Sequence, residues 1–91
     1  MLVLLSPKAD KEYKRINEPD KTRLNKTLIK LSKNPPEGDI KKLAGRDGYR
    51  ARTGGWRILF DIDHEYVNDN GEKGAIIVYE ISPRGGVYKG A

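Results

Sequence analysis

Apolar positions along the chain recur first as a continuous run, then every three to four residues, then every second residue, and each period predicts an element. The run "LVLL", residues 2 to 5, reads as a buried strand that stops at Ser6-Pro7. Ser6 suits an N-cap and Pro7 a first helical position, and Ala9, Tyr13 and Ile16 then fall on one face of a short amphipathic helix. After Pro19 the pattern returns with Leu24, Leu28 and Leu31, until Asn34-Pro35-Pro36 ends it. The two helices form a hairpin. "PPEGDIKKLAGRDG", residues 35 to 48, reads as a linker anchored by Ile40 and Leu43.

Strict alternation begins at "YRARTGGWRILF", residues 49 to 60. With Gly54-Gly55 as the tip of a two-residue hairpin, Thr53 faces Trp56, Arg52 faces Arg57, Ala51 faces Ile58, Arg50 faces Leu59 and Tyr49 faces Phe60. Tyr49, Ala51, Trp56, Ile58 and Phe60 share one face, whereas Arg50, Arg52 and Arg57 share the other. Residues 61 to 74, "DIDHEYVNDNGEKG", leave the strand and turn on Asn70-Gly71. "AIIVYEIS" runs as a further strand, with Ile77, Tyr79 and Ile81 on one face and Ile76, Val78 and Glu80 on the other, so it is central to the sheet. The expected architecture is α+β and one domain over residues 1–91: an N-terminal strand and a two-helix hairpin packed on one face of a mainly antiparallel sheet of three to four strands.

Charge adds a direction to this frame. The chain holds 18 Lys plus Arg against 13 Asp plus Glu, a net charge of +5 that suggests a polyanionic partner. Residues 1 to 46 carry a net +6 and residues 47 to 91 a net −1, so the arginine cluster is local. The helix lysines read first as a solvated coat, one that speeds encounter with RNA without entering its chemistry. The absence of cysteine removes disulfides, thiolate chemistry and Cys-based zinc sites. The apolar opening is too short for a signal or membrane segment, and a cytoplasmic protein is the default expectation. His64, the one histidine, sits among Asp61, Asp63 and Glu65, which reads as an exposed turn entry rather than a metal site. No serine stands in a nucleophile elbow, and "GRDG" and "RTGG" lack the spacing of a phosphate loop.

The chemistry-bearing residues that remain are Arg50, Arg52, Arg57, Arg84 and Tyr88. Like charges facing one another destabilise a strand pair, so the opposed Arg52 and Arg57 point to an external anion. Arg84 follows Ile76, Val78 and Glu80 in even-numbered parity and projects with them if the strand continues through Pro83. Arginine forks match phosphate oxygens in pairs, and a tyrosine offers a stacking ring and a titratable hydroxyl. The competing reading is an ion network in which the arginines pair with Asp61, Asp47 or Glu80, with Tyr88 a packed tail residue.

Strand, helix hairpin, Tyr-basic-x-basic, Gly-aromatic-Arg-hydrophobic and a closing Arg-x-x-Val-Tyr, in this order over nearly the whole chain, resemble the RelE/ParE superfamily of toxin–antitoxin toxins, and more closely its RelE-like mRNA interferase branch. The resemblance implies a ribosome-dependent, metal-independent endoribonuclease that inhibits translation. It would cut mRNA in the ribosomal A site, beside rRNA, by attack of the ribose 2′-hydroxyl on the adjacent phosphate. It also implies a cognate antitoxin in a hetero-oligomer, with no membrane partner and no cofactor. By position, Arg50 and Arg52 match two basic strand residues of the family, Arg57 its phosphate-binding arginine, and Arg84 and Tyr88 its C-terminal pair.

The branch often has lysines at the first two places. Arginine, with a pKa above about 12, is a poor general base, so Arg50 and Arg52 are expected to stabilise charge and Tyr88 to take the 2′-hydroxyl proton while Arg84 stabilises the leaving oxygen. Two alternatives share the frame: a ParE-like inhibitor of DNA gyrase without nuclease activity, and a degenerate toxin that only binds antitoxin.

Overall fold

The computed structural model describes residues 1–83. Its elements run β1 (Leu2–Leu5), α1 (Pro7–Lys14), α2 (Asp20–Leu31), β2 (Asp39–Lys42), β3 (Tyr49–Thr53), β4 (Trp56–Val67) and β5 (Lys73–Pro83). The strands form one mixed five-stranded sheet in the order β1-β5-β4-β3-β2, with β1 parallel to β5 and the other neighbours antiparallel. The α+β frame, the N-terminal strand beside the central strand and the helix hairpin stand as the periodicity predicts.

Three features depart from the sequence expectation. The segment read as a linker contains β2, which pairs Asp39 with Arg52, Ile40 with Ala51, Lys41 with Arg50 and Lys42 with Tyr49 and raises the sheet to five strands. Residues 61–67, read as leaving the sheet, continue β4 along β5, so His64 is an exposed strand residue. Finally, β5 carries a bulge: Leu59 pairs with Glu80 but Phe60 with Val78, leaving Tyr79 as the extra residue. The side-chain phase shifts there, so Ile76, Val78 and Ile81 are all buried in the core, although simple alternation assigns Ile81 to the opposite face.

The core lies between the hairpin and one sheet face. Leu24, Leu28 and Leu31 of α2 and Ala9 and Ile16 from α1 and its exit meet Ala51, Ile58, Phe60, Ile76, Val78 and Ile81, and Tyr49 stacks on Phe60 at 5.6 Å between ring centroids. α1 is fixed at both ends of this contact. Ser6 Oγ accepts from Ala9 N at 3.1 Å as the N-cap, its amide donates to Val78 O at 2.8 Å, and Glu12 Oε1 accepts from Ile81 N at 2.9 Å. The helix thereby satisfies the edge of β5 where the short β1 ends. In α2, Glu18 does the capping: its Oε1 accepts from both the amide and the hydroxyl of Thr22, at 3.0 and 2.6 Å. No helix among the described residues is long and apolar enough to cross a membrane.

Candidate functional site

The Gly-Gly hairpin builds the site. Gly54 sits at φ 56°, the left-handed conformation that a two-residue turn of this kind requires, and all five predicted pairs of β3 and β4 form, Arg52 against Arg57 included. Because that register sends Tyr49, Ala51, Ile58 and Phe60 into the core, it sends Arg50, Arg52 and Arg57 to the face without helices.

Across that open face the registers define two rows. One runs Asp39, Arg52, Arg57, Ser82 and the next Lys41, Arg50, Leu59, Glu80, each over β2, β3, β4 and β5. Leu59, 7% exposed and outside the helix-side core cluster, is the apolar floor between Arg50 and Glu80. The structure thus brings Arg50, Arg52 and Arg57 together and adds Lys41, which the sequence reading left in a linker. Arg84 and Tyr88 lie outside the described residues.

The acid partner differs from those expected. Asp39, rather than Asp61, Asp47 or Glu80, binds two of the three arginines: its Oδ2 accepts from Arg52 Nε at 3.2 Å, its Oδ1 lies 3.5 Å from Arg50 Nη1, and its backbone oxygen accepts from Arg50 Nη1 at 3.4 Å. Slight burial raises the Asp39 carboxyl, but the charge and hydrogen bond of Arg52, then those of Arg50, outweigh it and hold the group below the usual carboxylate value. One carboxylate therefore serves two guanidiniums. Arg57 forms no ion pair among the described residues, and its buried Nε has no hydrogen-bond partner. A buried donor left unmet costs about 1–3 kcal/mol.

Glu80 closes the far end of the second row. The Lys8 hydrogen bond at 3.0 Å is the main reason its carboxyl lies below its usual range, opposed by burial and helped by the Ser82 hydroxyl and the Arg57 charge. Lys8 also reaches Glu12 at 3.3 Å, so α1, β5 and the open face share one ion network. Beside the bulge, Tyr79 accepts a hydrogen bond from Arg46 Nη2 at 3.1 Å. Gly48, at φ 110°, permits this approach, because a Cβ there would stand 3.0 Å from both Tyr79 Oη and Asp61 Oδ1. Further along β4 the exposed Asp61, Asp63 and Glu65 make the same strand acidic. One half of the strand is cationic and the other anionic.

Such a face can take up a phosphodiester: guanidiniums supply paired donors and permanent charge. Comparison with known proteins gives the family and the fold. Over residues 3–88 the sequence matches the family described as ParE toxin of type II toxin-antitoxin system, parDE. In structure it is similar to a chain of the RelBE2 toxin–antitoxin complex from Mycobacterium tuberculosis, with 15% identity, 91% of this chain and 96% of that chain covered, and a TM-score of 0.65, a likeness of fold. It is also similar to a chain of the archaeal RelE–RelB complex from Pyrococcus horikoshii, with 27% identity, coverage of 92% and 94%, and a TM-score of 0.61. Comparison with curated proteins found no match.

Proposed function

The chain belongs to the ParE toxin family of type II toxin–antitoxin systems, within the RelE/ParE superfamily, and from that premise we propose that it is a RelE-type toxin that cleaves mRNA on the ribosome. One observation carries this reading: three arginines share an open sheet face on which one carboxylate, Asp39, contacts two of them, while Arg57 makes no direct ion pair among the described residues and feels Glu80 only through charge. A toxin acting by surface contact alone has no need of that arrangement.

In the proposed reaction the ribose 2′-oxygen attacks the adjacent phosphorus and the bond to the 5′-oxygen breaks, giving a 2′,3′-cyclic phosphate and a 5′-hydroxyl. Negative charge accumulates on the non-bridging oxygens as the phosphorus becomes five-coordinate, and Arg50, Arg52 and Arg57 stabilise it there. Tyr88, acting as its phenolate, takes the 2′-proton, Arg84 stabilises the departing 5′-oxygen, and a proton from water completes the 5′-hydroxyl. These two roles rest on the sequence match alone. The substrate places the site of action in the cytoplasm.

The partner of this toxin is a cognate antitoxin, as the two RelB-containing complexes among its structural neighbours suggest. A groove of about 420 Å³ beside β1, lined by Met1, Leu2, Val3, Leu5, Leu28 and Ile29, suits an amphipathic antitoxin segment. Ile29 is 57% exposed there, and the exposed Lys26 lies one turn before it on α2, with Lys33 just past the helix end, so the segment would carry acidic residues around its apolar ones.

The test is cleavage of mRNA on programmed ribosomes by the parent and by Arg57→Gln. Loss of a preorganised charge lowers the rate by about 10²-fold or more, with thermal unfolding unchanged in cooperativity. Equal cleavage by both proteins overturns the role of the face. The ParE family match favours a second reading, inhibition of DNA gyrase. A parent protein that blocks supercoiling by purified gyrase and leaves ribosome-bound mRNA intact establishes that reading instead. A parent that does neither is a degenerate toxin.

A further inference from the structure

Asp39 stands where a phosphate would. Its two oxygens and its backbone carbonyl already hold Arg50 and Arg52 in place at 3.2 to 3.5 Å, each arginine through one nitrogen, which leaves the rest of both guanidinium forks for the oxygens of a phosphate. We infer that the Asp39 carboxylate is a built-in counter-anion that an RNA phosphate must displace from Arg50 and Arg52, and that it thereby limits the affinity of the face for RNA and softens its salt dependence. This rests on the reading of the face as a phosphodiester site.

Displacement is physically easy on one side and prepared on the other. The Asp39 side chain is 57% exposed and belongs to a four-residue edge strand, and exposed ion pairs are weak. Arg50 is only 15% exposed, so it stays in position when its partner leaves. Phosphate offers more acceptor oxygens than a carboxylate and can meet Arg57, which Asp39 does not reach among the contacts of the described residues. Lys41, across from Arg50 in the same row, becomes a further cation beside the vacated place. With Asp39 in place the arginines keep each other's repulsion in check, and the strand pair survives without ligand.

The experiment measures binding of a fluorescein-labelled single-stranded oligodeoxyuridine, which has no 2′-hydroxyl to be cut, across a KCl series. Asp39→Asn, which retains a neutral acceptor, tightens binding about threefold to tenfold at low salt. It also steepens the slope of log K against log salt by about 0.7, because the freed arginine charge neutralises one further phosphate, which sheds its condensed cation. Asp63→Asn changes the charge equally but lies at an exposed β4 position without an arginine partner among the described residues, and it shifts binding by less than about twofold. Asp39→Thr, a better strand former, repeats the measurement should asparagine loosen β2. Binding by the Asp39 variants that equals the parent, or equals Asp63→Asn, overturns the inference while the phosphate reading stands. Arg57→Gln must weaken the probe in both the parent and Asp39→Asn backgrounds; if it does not, the probe sits elsewhere, and both the inference and the reading of the face fall.

Discussion

Glu80 sits between two cations with different claims on it: Lys8 donates to it at 3.0 Å, whereas Arg57 acts on it through charge. Its folded carboxyl is held below the unfolded value of 4.5, so the carboxylate form favours the fold. That stabilisation is present above about pH 4.5 and is lost as pH falls through the lower folded value. Lys8 is raised above 10.5 by Glu80 first and then Glu12, so its contribution holds below that pH and disappears as pH rises through the raised value. Urea midpoints measured against pH should therefore show Glu80→Gln less stable than the parent across the neutral range, with the gap closing in acid and in strong base. The same residue scale shows why some partners were legible and others hidden. Arg52 facing Arg57 follows from alternation around one glycine pair, whereas Asp39 reaches Arg52 only because a strand between two turns returns it from 13 residues away. Spacing alone carries no trace of that.

β2 and the bulge were hidden at the next scale for related reasons. "DIKK" offers one apolar residue, Ile40, and follows two prolines; its strand character comes from the open edge of β3, so tertiary pairing rather than local preference decides it. The β3–β4 hairpin was legible because glycine at a left-handed tip and a run of alternating residues agree. The α1 start was equally legible from Ser6-Pro7, but its second duty was not. Ser6 caps the helix and also binds β5, accepting from Ala9 N at 3.1 Å while its hydroxyl points to Tyr79 O at 3.4 Å and its amide to Val78 O at 2.8 Å. Ser6→Ala removes the side-chain share of this and should lower unfolding free energy by about 1 kcal/mol, the typical cost of a lost cap, in denaturant titrations. The slope with denaturant should stay at the parental value, since the change alters no buried area of note.

Over the whole molecule, charge is sorted rather than spread. The helical half carries the excess of lysine, with Lys26, Lys30 and Lys33 exposed on and just beyond α2, while the sheet's open face keeps its arginines close to acids. The first population acts at a distance and the second at contact. If the toxin acts on the ribosome as proposed, replacing Lys26, Lys30 and Lys33 together by glutamine should slow association with ribosomes, most at low salt, and leave dissociation nearly unchanged in stopped-flow measurements. The one-residue insertion at Tyr79 has a consequence at this scale too. It works as a change of frame halfway along β5, so that Ile76 and Val78 before it, and Ile81 after it, look toward the helices while Glu80 looks away. Were β5 to run without the bulge, with Tyr79 seated opposite Leu59, everything beyond that point would turn over. Glu80 would be driven into hydrocarbon opposite Ile58, and Ile81 would stand among the guanidiniums opposite Arg57.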